Sequence, residues 1–373
     1  MDKKLRIRIL IVNPSANLGG GNTISNNLVI GLDKNIFEAF TFFPEKGPAI
    51  STLKEAREIN ILIPPKSNLY SILFFLYSFL KENKIDIVHA QGTRAAFWTK
   101  LAFLFLRKKP KFIYTLHGLH IAHRPLFQKY PLLYLERTLN ILVDRLVCPS
   151  LSVKSSTEKY KIIKKIKVEL IYNGIDIKKF TQAFPIDKKS LNIPENYLII
   201  SAIQRLNFPK DVSTILHAFK KVLSSVEKVI LLIVGNGPLM SKLQKEAKDS
   251  NIEKKVLFLG ERFDIDNILA VSDIIILSSS YEAIGLSLIE AMATKKPVIG
   301  TNVEGIKEIV ENGENGFLVE FRNEKKMAEA ILLLLSDSKL CQKMGENGFE
   351  FIKEKFSLEK MIKDYKNLYQ SLV

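Results

Sequence analysis

Residues 274–293, IIILSSSYEAIGLSLIEAMA, contain a short β-branched run, a polar loop and an apolar segment that favours a helix. The run Ile274–Leu277 is too short for a helix and predicts a strand buried on both faces of a parallel sheet. The same order of strand, loop and helix recurs along the chain. Alternation at this spacing is typical of βαβ units and indicates an α/β fold with parallel sheets.

A polar stretch rich in turn-forming residues, Asn173–Asn196, separates two such halves. Since 373 residues are enough for two domains, we predict two Rossmann-like domains, residues 1–184 and 185–356. A C-terminal helix, residues 357–373, could pack on either domain, and we place it with the first. The predicted strands are Arg6–Val12, Ile85–Ala90, Lys111–Leu116, Arg145–Pro149 and Val168–Tyr172 in the first half, and Tyr197–Ala202, Val229–Val234, Val256–Leu259, Ile274–Leu277, Pro297–Gly300 and Gly316–Val319 in the second.

The excess of positive over negative charge is confined to the first half of the chain. The net charge is +16, and residues 1–185 contain 29 Lys and Arg against 13 Asp and Glu, whereas residues 186–373 contain 26 of each class. This asymmetry indicates an anionic partner for the first half. The two cysteines, Cys148 and Cys341, are far apart in sequence and favour a reducing compartment. The longest apolar run, Leu69–Leu80, is shorter than the ~20 residues of a membrane span.

Two glutamates frame the loop and helix that follow strand Ile274–Leu277. Glu282 and Glu290 are eight positions apart, close to two helical turns, so both can address one ligand if the helix starts near Gly285. One carboxylate could bind sugar hydroxyls and the other a ribose diol, while N–H groups near Gly285 would face a phosphate. A solvated helix face is the alternative for Glu290, although its neighbours are apolar or small.

Two cations lie on the loop after strand Tyr197–Ala202. Arg205 and Lys210 are five positions apart and can converge on a diphosphate, the first as a planar fork and the second as a point charge. Alternatively, Lys210 merely flanks a helix that is capped by Asp211. Gly235 belongs to a further turn that ends the next strand. Because open α/β sheets bind ligands outside the carboxyl ends of their strands, we expect a nucleotide at this edge.

Two motifs of the first half also follow predicted strands. Gly19-Gly20-Gly21 precedes a helix, an arrangement that admits an anion to the backbone; a flexible turn is the alternative. It is not a dinucleotide fingerprint, because position 24 is Ile. His117, in Thr115-Leu116-His117-Gly118, can donate to a hydroxyl or a phosphate, and a histidine satisfied by local backbone is the alternative.

Together these motifs resemble family 4 of the retaining glycosyltransferases (glycosyl transferases group 1), which have the GT-B fold. The match is nearly continuous in the second half and looser in the first. The resemblance implies two Rossmann-like domains that face each other across a cleft, the first binding the acceptor and the second a nucleotide sugar. The motifs that carry it are Ile171–Asp176, Arg205 with Lys210, Val234–Pro238, Glu282 with Glu290, Glu290–Ala293, Pro297–Ile299, Gly19–Gly21 and Thr115–Gly118.

The resemblance also implies roles for single residues. Arg205 and Lys210 would bind the diphosphate of the sugar donor and stabilise the leaving group. Glu282 would contact the transferred sugar and Glu290 the ribose. His117 would touch the sugar near the reacting carbon. The further residues expected at the sugar donor are Gly20, Gly21, Gly235, Gly285 and Leu286.

The chain departs from the family pattern near the sugar. Gln204, Ala283 and Ile284 stand where two glycines and an aromatic residue are usual, so the identity of the sugar stays open. The triplet Asp264-Ile265-Asp266 could hold a metal-bridged diphosphate. It opens a predicted helix, which favours a capping role. We therefore expect no metal and no other cofactor.

Segments 100–111 and 161–167, together with the apolar stretch 69–80, suit a surface that lies on anionic lipid. The alternative is that 69–80 and 95–106 are core helices with solvated basic ends, and we expect the core role for most of their apolar residues and the lipid contact for the basic rim. We predict a cytoplasmic, peripheral enzyme at the inner face of the cell membrane. It would move a hexosyl or N-acetylhexosaminyl group from a UDP-linked donor to a lipid-linked or cell-surface glycan, such as lipopolysaccharide or capsule. The alternatives are a sugar-nucleotide epimerase and a basic nucleic-acid-binding protein, although no helix-turn-helix, zinc or RNP pattern is present.

Overall fold

A computed structural model describes residues 6–17, 19–54, 59–119, 126–162 and 167–373. The chain divides into two compact units: the first comprises residues up to Gly174 together with Leu358–Val373, and the second comprises Ile175–Ser357. Each unit is a parallel sheet flanked by helices. This arrangement confirms the predicted α/β class with Rossmann-like units.

Strands and helices alternate through the described residues. The strands are β1 (Ile7–Val12), β2 (Phe37–Phe42), β3 (Asn60–Leu62), β4 (Ile87–Gln91), β5 (Lys111–Thr115), β6 (Arg145–Cys148), β7 (Lys167–Leu170), β8 (Leu198–Ile203), β9 (Val229–Val234), β10 (Val256–Gly260), β11 (Ile274–Leu277), β12 (Val298–Thr301) and β13 (Gly316–Val319). The helices are α1 (Gly20–Gly31), α2 (Ser51–Lys54), α3 (Leu69–Glu82), α4 (Gly92–Leu104), α5 (Leu126–Leu139), α6 (Leu151–Lys159), α7 (Ile177–Thr181), α8 (Val212–Leu223), α9 (Met240–Asp249), α10 (Ile265–Val271), α11 (Leu286–Ala293), α12 (Glu304–Lys307), α13 (Glu324–Ser336), α14 (Ser338–Lys355) and α15 (Leu358–Gln370).

The sheet of the first unit is built around β1. Its strand order among the described residues is β3-β2-β1-β4-β5-β6-β7, and all pairs are parallel. Ile9, Leu10 and Ile11 of β1 are fully buried. Helix α15 packs on α1, where the Ile362 side chain lies directly against Gly31 and would have to shift to admit a larger residue. The C-terminal helix is therefore part of the first unit.

The sheet of the second unit is built around β8. Its strand order is β10-β9-β8-β11-β12-β13, again with parallel pairs. Ile215 of α8 and Ile331 of α13 belong to one core cluster, and Ile268 of α10 belongs to another. The order reverses between β1 and β4 in the first sheet and between β8 and β11 in the second. Such a switch point leaves a crevice at the carboxyl ends of the strands.

The chain enters the second unit at Ile175, earlier than the predicted boundary at 184–185. Helix α7 packs against α10 and α11 and so belongs to the second unit. The Ile175 N–H donates to Phe356 O at 2.9 Å, close to the point where the chain leaves this unit again. Local composition did not reveal this boundary, because it depends on contacts with residues far along the chain.

The apolar stretch 69–80 lies within α3. Ile72, Leu76 and Leu80 form its buried face, which confirms a core role for one side of the helix. Tyr70 and Phe74 are 80% and 60% exposed on another side. Among the described residues, no helix has both the length and the apolar composition needed to cross a membrane.

Candidate active site

Two loops at the carboxyl edge of the second sheet are bonded to each other. They follow β8 and β11, the neighbouring strands at which the strand order reverses. Ser280 N donates to Pro209 O at 3.0 Å. Thr301, at the end of β12, accepts from Ser279 N at 3.0 Å and donates to Ser279 O at 2.7 Å. These hydrogen bonds fix the two loops relative to each other, beside the crevice of this sheet.

The fixed arrangement of the two loops brings Lys210 and Glu282 together. Lys210 Nζ donates to Glu282 Oε1, and the side chains are only 14% and 13% exposed. Partial burial strengthens the attraction between the two charges, because less water screens them. Two residues that were predicted from separate motifs, 72 positions apart, thus form one ion pair at the strand edge.

Asp211 has the capping role that was considered for this loop. Its carboxylate accepts from Thr214 N at 3.4 Å and from Thr214 Oγ1 at 2.7 Å, at the start of α8. The cap and the ion pair coexist, because Lys210 and Asp211 bond to different partners. Lys210 therefore does more than flank a helix.

The end of β8 carries an exposed cation next to a buried amide. Arg205 is exposed to solvent. Gly235, at the end of β9, has a φ of +131° and lies against the carbonyl of Gln204, where a side chain would not fit. The Gln204 side chain is buried, and neither of its amide atoms has a hydrogen-bond partner among the described residues. The Gln204 carboxamide is therefore a buried polar group, unsatisfied within the described part of the chain, directly beside the exposed guanidinium of Arg205.

Helix α11 begins directly after Gly285, the start that was required for Glu282 and Glu290 to address one ligand. Gly285 has a φ of +65°, a left-handed conformation that favours glycine, and Leu286 is the first helical residue. Glu290 lies further along the same helix. Burial raises the pKa of its carboxyl group to about 7, and the nearby Lys179 ammonium acts in the opposite direction. A freely solvated helix face, the alternative for Glu290, does not fit this environment.

The triplet Asp264-Ile265-Asp266 is bound by cations of the protein itself. Asp264 accepts two hydrogen bonds from Arg262, at 2.8 Å from Nε and 2.6 Å from Nη2. Asp266 Oδ1 lies 3.7 Å from Lys179 Nζ. Asp264 is at the N-cap position of α10 but makes no side-chain capping bond, so the expected capping role is wrong. Its carboxylate binds the guanidinium of Arg262 instead. In the part of the chain that the structure describes, no three His, Cys, Asp or Glu side chains are grouped as a metal site.

A second group of candidate residues lies at the carboxyl edge of the first sheet. His117 follows β5, and its Nε2 is 2.8 Å from Gln91 Oε1 at the end of β4. Gly21 and Gly92 lie beside the ring, each in a position where a Cβ would be 3.9 Å from His117 Cδ2. Burial lowers the pKa of His117 to about 4, so the ring is neutral at pH 7. The glycine loop and the histidine, predicted from separate motifs, therefore lie side by side, with Gly20 at the first turn of α1.

Gln91 and Gly92 were not predicted as site residues. The predicted strand ended at Ala90, whereas β4 continues to Gln91 and Gly92 takes a φ of +83°. A signal was available, because a polar residue followed by glycine after a strand is the same pattern that marked the other motifs. The contacts of residues 91 and 92 with His117 are what place them at the candidate site.

Comparison with known proteins decides the family. Residues 18–179 match the profile of Glycosyltransferase Family 4, and residues 183–351 match that of Glycosyl transferases group 1. N-acetyl-alpha-D-glucosaminyl L-malate synthase of Bacillus anthracis is 32% identical over 301 residues, which cover 79% of this chain and 76% of that protein. The chain belongs to glycosyltransferase family 4. The resemblance inferred from the motifs is thereby confirmed.

Two further proteins resemble this family 4 glycosyltransferase over nearly its full length. The UDP-Gal:alpha-D-GlcNAc-diphosphoundecaprenol alpha-1,3-galactosyltransferase of Escherichia coli is 28% identical over 385 residues, covering 99% of this chain and 98% of that protein. The crystal structure of Anabaena HepE in complex with UDP and glucose superposes with a TM-score of 0.86 and 20% identity, covering 98% of this chain and 100% of HepE. At that identity the likeness supports the GT-B fold. Family membership favours glycosyl transfer over the epimerase and nucleic-acid-binding alternatives.

Proposed function

We propose that this glycosyltransferase transfers a hexose or N-acetylhexosamine from a UDP-linked donor to a lipid-linked or cell-surface glycan, with retention at the anomeric carbon. The Lys210–Glu282 ion pair, held at the switch point of the second sheet on the same loop as exposed Arg205, carries the proposal. The choice of UDP and of a lipid-linked acceptor is supported by the name of the Escherichia coli relative and by the UDP bound to HepE.

Two cations on one loop suit the charge that develops in this reaction. When the bond between the sugar and the nucleotide breaks, negative charge builds up on the departing diphosphate, and positive groups placed in advance lower the barrier. Arg205 is exposed and can present a planar fork to two phosphate oxygens. Lys210 is held in place by Glu282. We assign leaving-group stabilisation to this pair of cations.

Glu282 and Glu290 suit hydroxyl groups rather than phosphates. Glu282 can accept from a sugar hydroxyl while Lys210 balances part of its charge. Glu290 lies in α11. The backbone N–H groups at the start of this helix, from Leu286 onward, favour an anion. We assign the transferred sugar to Glu282, the ribose to Glu290 and a phosphate to the start of α11. In the first unit, we assign Gly20 and Gly21 to the diphosphate and neutral His117 to a sugar hydroxyl.

The outward side of α3 and the end of α4 suit an anionic membrane surface. Tyr70 stacks on Phe74 with ring centroids 6.3 Å apart, and Phe105 lies edge-on to Tyr77 at 6.4 Å. These rings continue into the exposed basic run 107–109. Of the two basic segments singled out in the sequence, 161–167 lies largely outside the described residues. We propose that the aromatic rings and the basic run hold the enzyme at the inner face of the membrane, close to a lipid-linked acceptor.

A thermal-shift screen tests the sugar-donor assignment. UDP is expected to raise the melting temperature more than GDP or ADP at equal concentration, because a ligand that binds only the folded state stabilises it. Incubation with UDP-sugars then separates transfer from isomerisation of the donor. Equal shifts with all three nucleotides, or isomerised donor without transfer, would contradict the proposal.

A further inference from the structure

A chain of hydrogen bonds connects His117 to the C-terminal helix inside the first unit. His117 Nε2 is 2.8 Å from Gln91 Oε1, and Gln91 Nε2 is 3.2 Å from His89 Nε2. On the other side of its ring, His89 Nδ1 is 2.7 Å from the hydroxyl of Tyr369 in α15. Gln91 thus links a candidate site residue to a buried histidine and, through it, to a helix that lies far along the chain.

A side branch adds a second tyrosine of the same helix. His89 Nε2 is 2.6 Å from Thr115 Oγ1, which is 3.2 Å from the hydroxyl of Tyr365. His89, Thr115, Tyr365 and Tyr369 are at most 1% exposed, and Gln91 is 3% exposed. Polar groups buried to this degree need partners, so each member of the network restricts the orientation of the next.

The directions of these hydrogen bonds are coupled. Gln91 Oε1 can only accept, so His117 carries its proton on Nε2. Gln91 Nε2 can only donate, so His89 Nε2 is unprotonated and His89 donates from Nδ1 to Tyr369. Thr115 then also donates to His89 Nε2, whose single lone pair is shared between Thr115 at 2.6 Å and Gln91 at 3.2 Å, and Thr115 accepts from Tyr365. Burial lowers the pKa of His89 to about 3, in agreement with a neutral ring that has one proton.

We propose that Gln91 is a positioning residue that holds His117 as the neutral tautomer protonated on Nε2, so that Nδ1 is available to accept a hydrogen bond from a sugar hydroxyl. His89 and Tyr369 hold Gln91 in this orientation, which makes α15 part of the support of the site. The role in sugar binding rests on the proposed function, whereas the tautomer does not. A carboxamide rotated by half a turn would reverse every bond and place the His117 proton on Nδ1.

The tautomer can be measured directly. In protein labelled with ¹⁵N at the histidine rings, two-bond ¹H–¹⁵N correlations distinguish the tautomers, and the loss of one set of signals in His117→Phe assigns that residue among the five histidines. We expect His117 to be neutral at pH 7 with its proton on Nε2. A proton on Nδ1, or a rapid exchange between the tautomers, would overturn the proposal.

Two substitutions of Gln91 test its control over His117. Gln91→Glu places a carboxylate against Nε2, and the titration midpoint of His117 should rise by about one pH unit or more. Of the titratable groups in the described network, His89 bonds to Gln91 directly, and the hydroxyls of Tyr369 and Tyr365 follow through His89 and Thr115. Gln91→Leu removes the acceptor and should mix the tautomers and raise the KM for the sugar donor about tenfold. An unchanged tautomer and titration in both variants would refute the role of Gln91.

A control variant separates positioning from general destabilisation. Asn26 is also buried in the first unit, where its Nδ2 donates to Ala49 O at 2.6 Å, outside this network. Asn26→Leu should lower stability and leave the His117 tautomer unchanged, while Tyr369→Phe should alter the His89 signals. If transfer from UDP-sugars fails but the tautomer is as expected, the proposed function is wrong and the role of Gln91 stands.

Discussion

Lys210 and Glu282 depend on each other because each charge is nearly enclosed by protein. Lys210→Ala leaves the Glu282 carboxylate without its cation, and we expect the free energy of unfolding to fall by about 2–4 kcal/mol. Glu282→Ala should have a similar effect. The double variant should lose clearly less than the sum of the two, because no uncompensated charge remains. Urea denaturation at pH 7 measures all four proteins, and additive losses would show that the ion pair does not couple the residues.

Replacing Glu290 is expected to raise the stability of the protein and to weaken nucleotide binding. Its carboxyl pKa is raised from 4.5 to about 7, so between these values the folded state binds more protons than the unfolded state. Its contribution to stability is present below pH 4.5 and is lost as the pH rises to about 7. Glu290→Gln should therefore be more stable than the wild type at pH 8 and bind UDP more weakly.

Denaturation curves at pH 5 and pH 8 with UDP titrations check this pair of effects. The advantage of Glu290→Gln over the wild type should be larger at pH 8 than at pH 5. Glu354→Gln, an exposed change in the same unit, is the control and should alter neither quantity. A Glu290→Gln protein that is less stable at pH 8 would contradict the assigned environment of the carboxyl group.

The identity of single site residues was within reach of the sequence, but their partners were not. Arg205, Lys210 and Glu282 follow strands, a pattern that can be seen locally. Their arrangement depends on β8 and β11 lying next to each other, which brings together residues that are distant in sequence. The interaction of Asp264 with Arg262 was missed for a different reason: the helix-start position indicated a cap, and the competing cation two residues earlier was not considered.

Among the elements, the strands made of continuous apolar residues were the easiest to predict. All six strands of the second sheet had been expected, because each is a nearly continuous apolar run, including the partly buried edge strands β10 and β13. In the first sheet β2 and β3 were missed. The residues of β2, FEAFTF, mix polar and aromatic side chains, and β3 is a three-residue edge strand that is only partly buried. Both strands were missed because neither is a continuous apolar run, although β2 lies inside the sheet.

Helix α3 shows where hydrophobic periodicity fails. Its buried residues Ile72 and Leu76 and its exposed residues Tyr70 and Phe74 have the same i, i+4 spacing. Since the helix is apolar on two sides, the sequence could not tell which side packs on the sheet. The exposed rings are the reason to expect a membrane contact there.

The surface formed by the exposed rings of α3, Phe105 and the basic run 107–109 is expected to bind anionic lipid. The enzyme is expected to float with liposomes that contain anionic lipid at moderate salt, and Phe74→Ser with Phe105→Ser should remove most of this binding. Charge reversal at Lys108 and Lys109 should weaken it by at least about fivefold for each cation, equivalent to ~1 kcal/mol. Phe263, 70% exposed in the second unit, supplies the matched control Phe263→Ser. Equal flotation of all variants would exclude this surface as the contact.

For the whole molecule, the net charge of +16 belongs to the half that precedes the proposed nucleotide-binding unit. The second half is neutral overall and has its cations in specific places, such as Arg205 and Lys210. This division suits an enzyme in which one unit binds a soluble nucleotide sugar and the other approaches an anionic surface. The same division is the reason that total charge alone did not identify the partner.

The two cations also predict that transfer needs no divalent metal. Arg205 and Lys210 supply positive charge for the diphosphate, and Asp264 and Asp266 are bound to cations of the chain. Turnover is therefore expected to continue in EDTA at the rate measured without it. A loss of turnover in EDTA that Mg²⁺ restores would contradict this expectation.

Transfer by Arg205→Ala tests the central claim most directly. Arg205 is exposed, so the variant should fold as the wild type does. Each protein is incubated with radiolabelled UDP-sugars and lipid-linked glycans, and label in the lipid fraction is counted. The wild type should transfer one of the sugars, and Arg205→Ala should do so about 100-fold more slowly or worse. Lys228→Ala, an equally exposed change just before β9 at the opposite edge of the sheet, should keep the full rate. Wild-type transfer by Arg205→Ala would contradict the account.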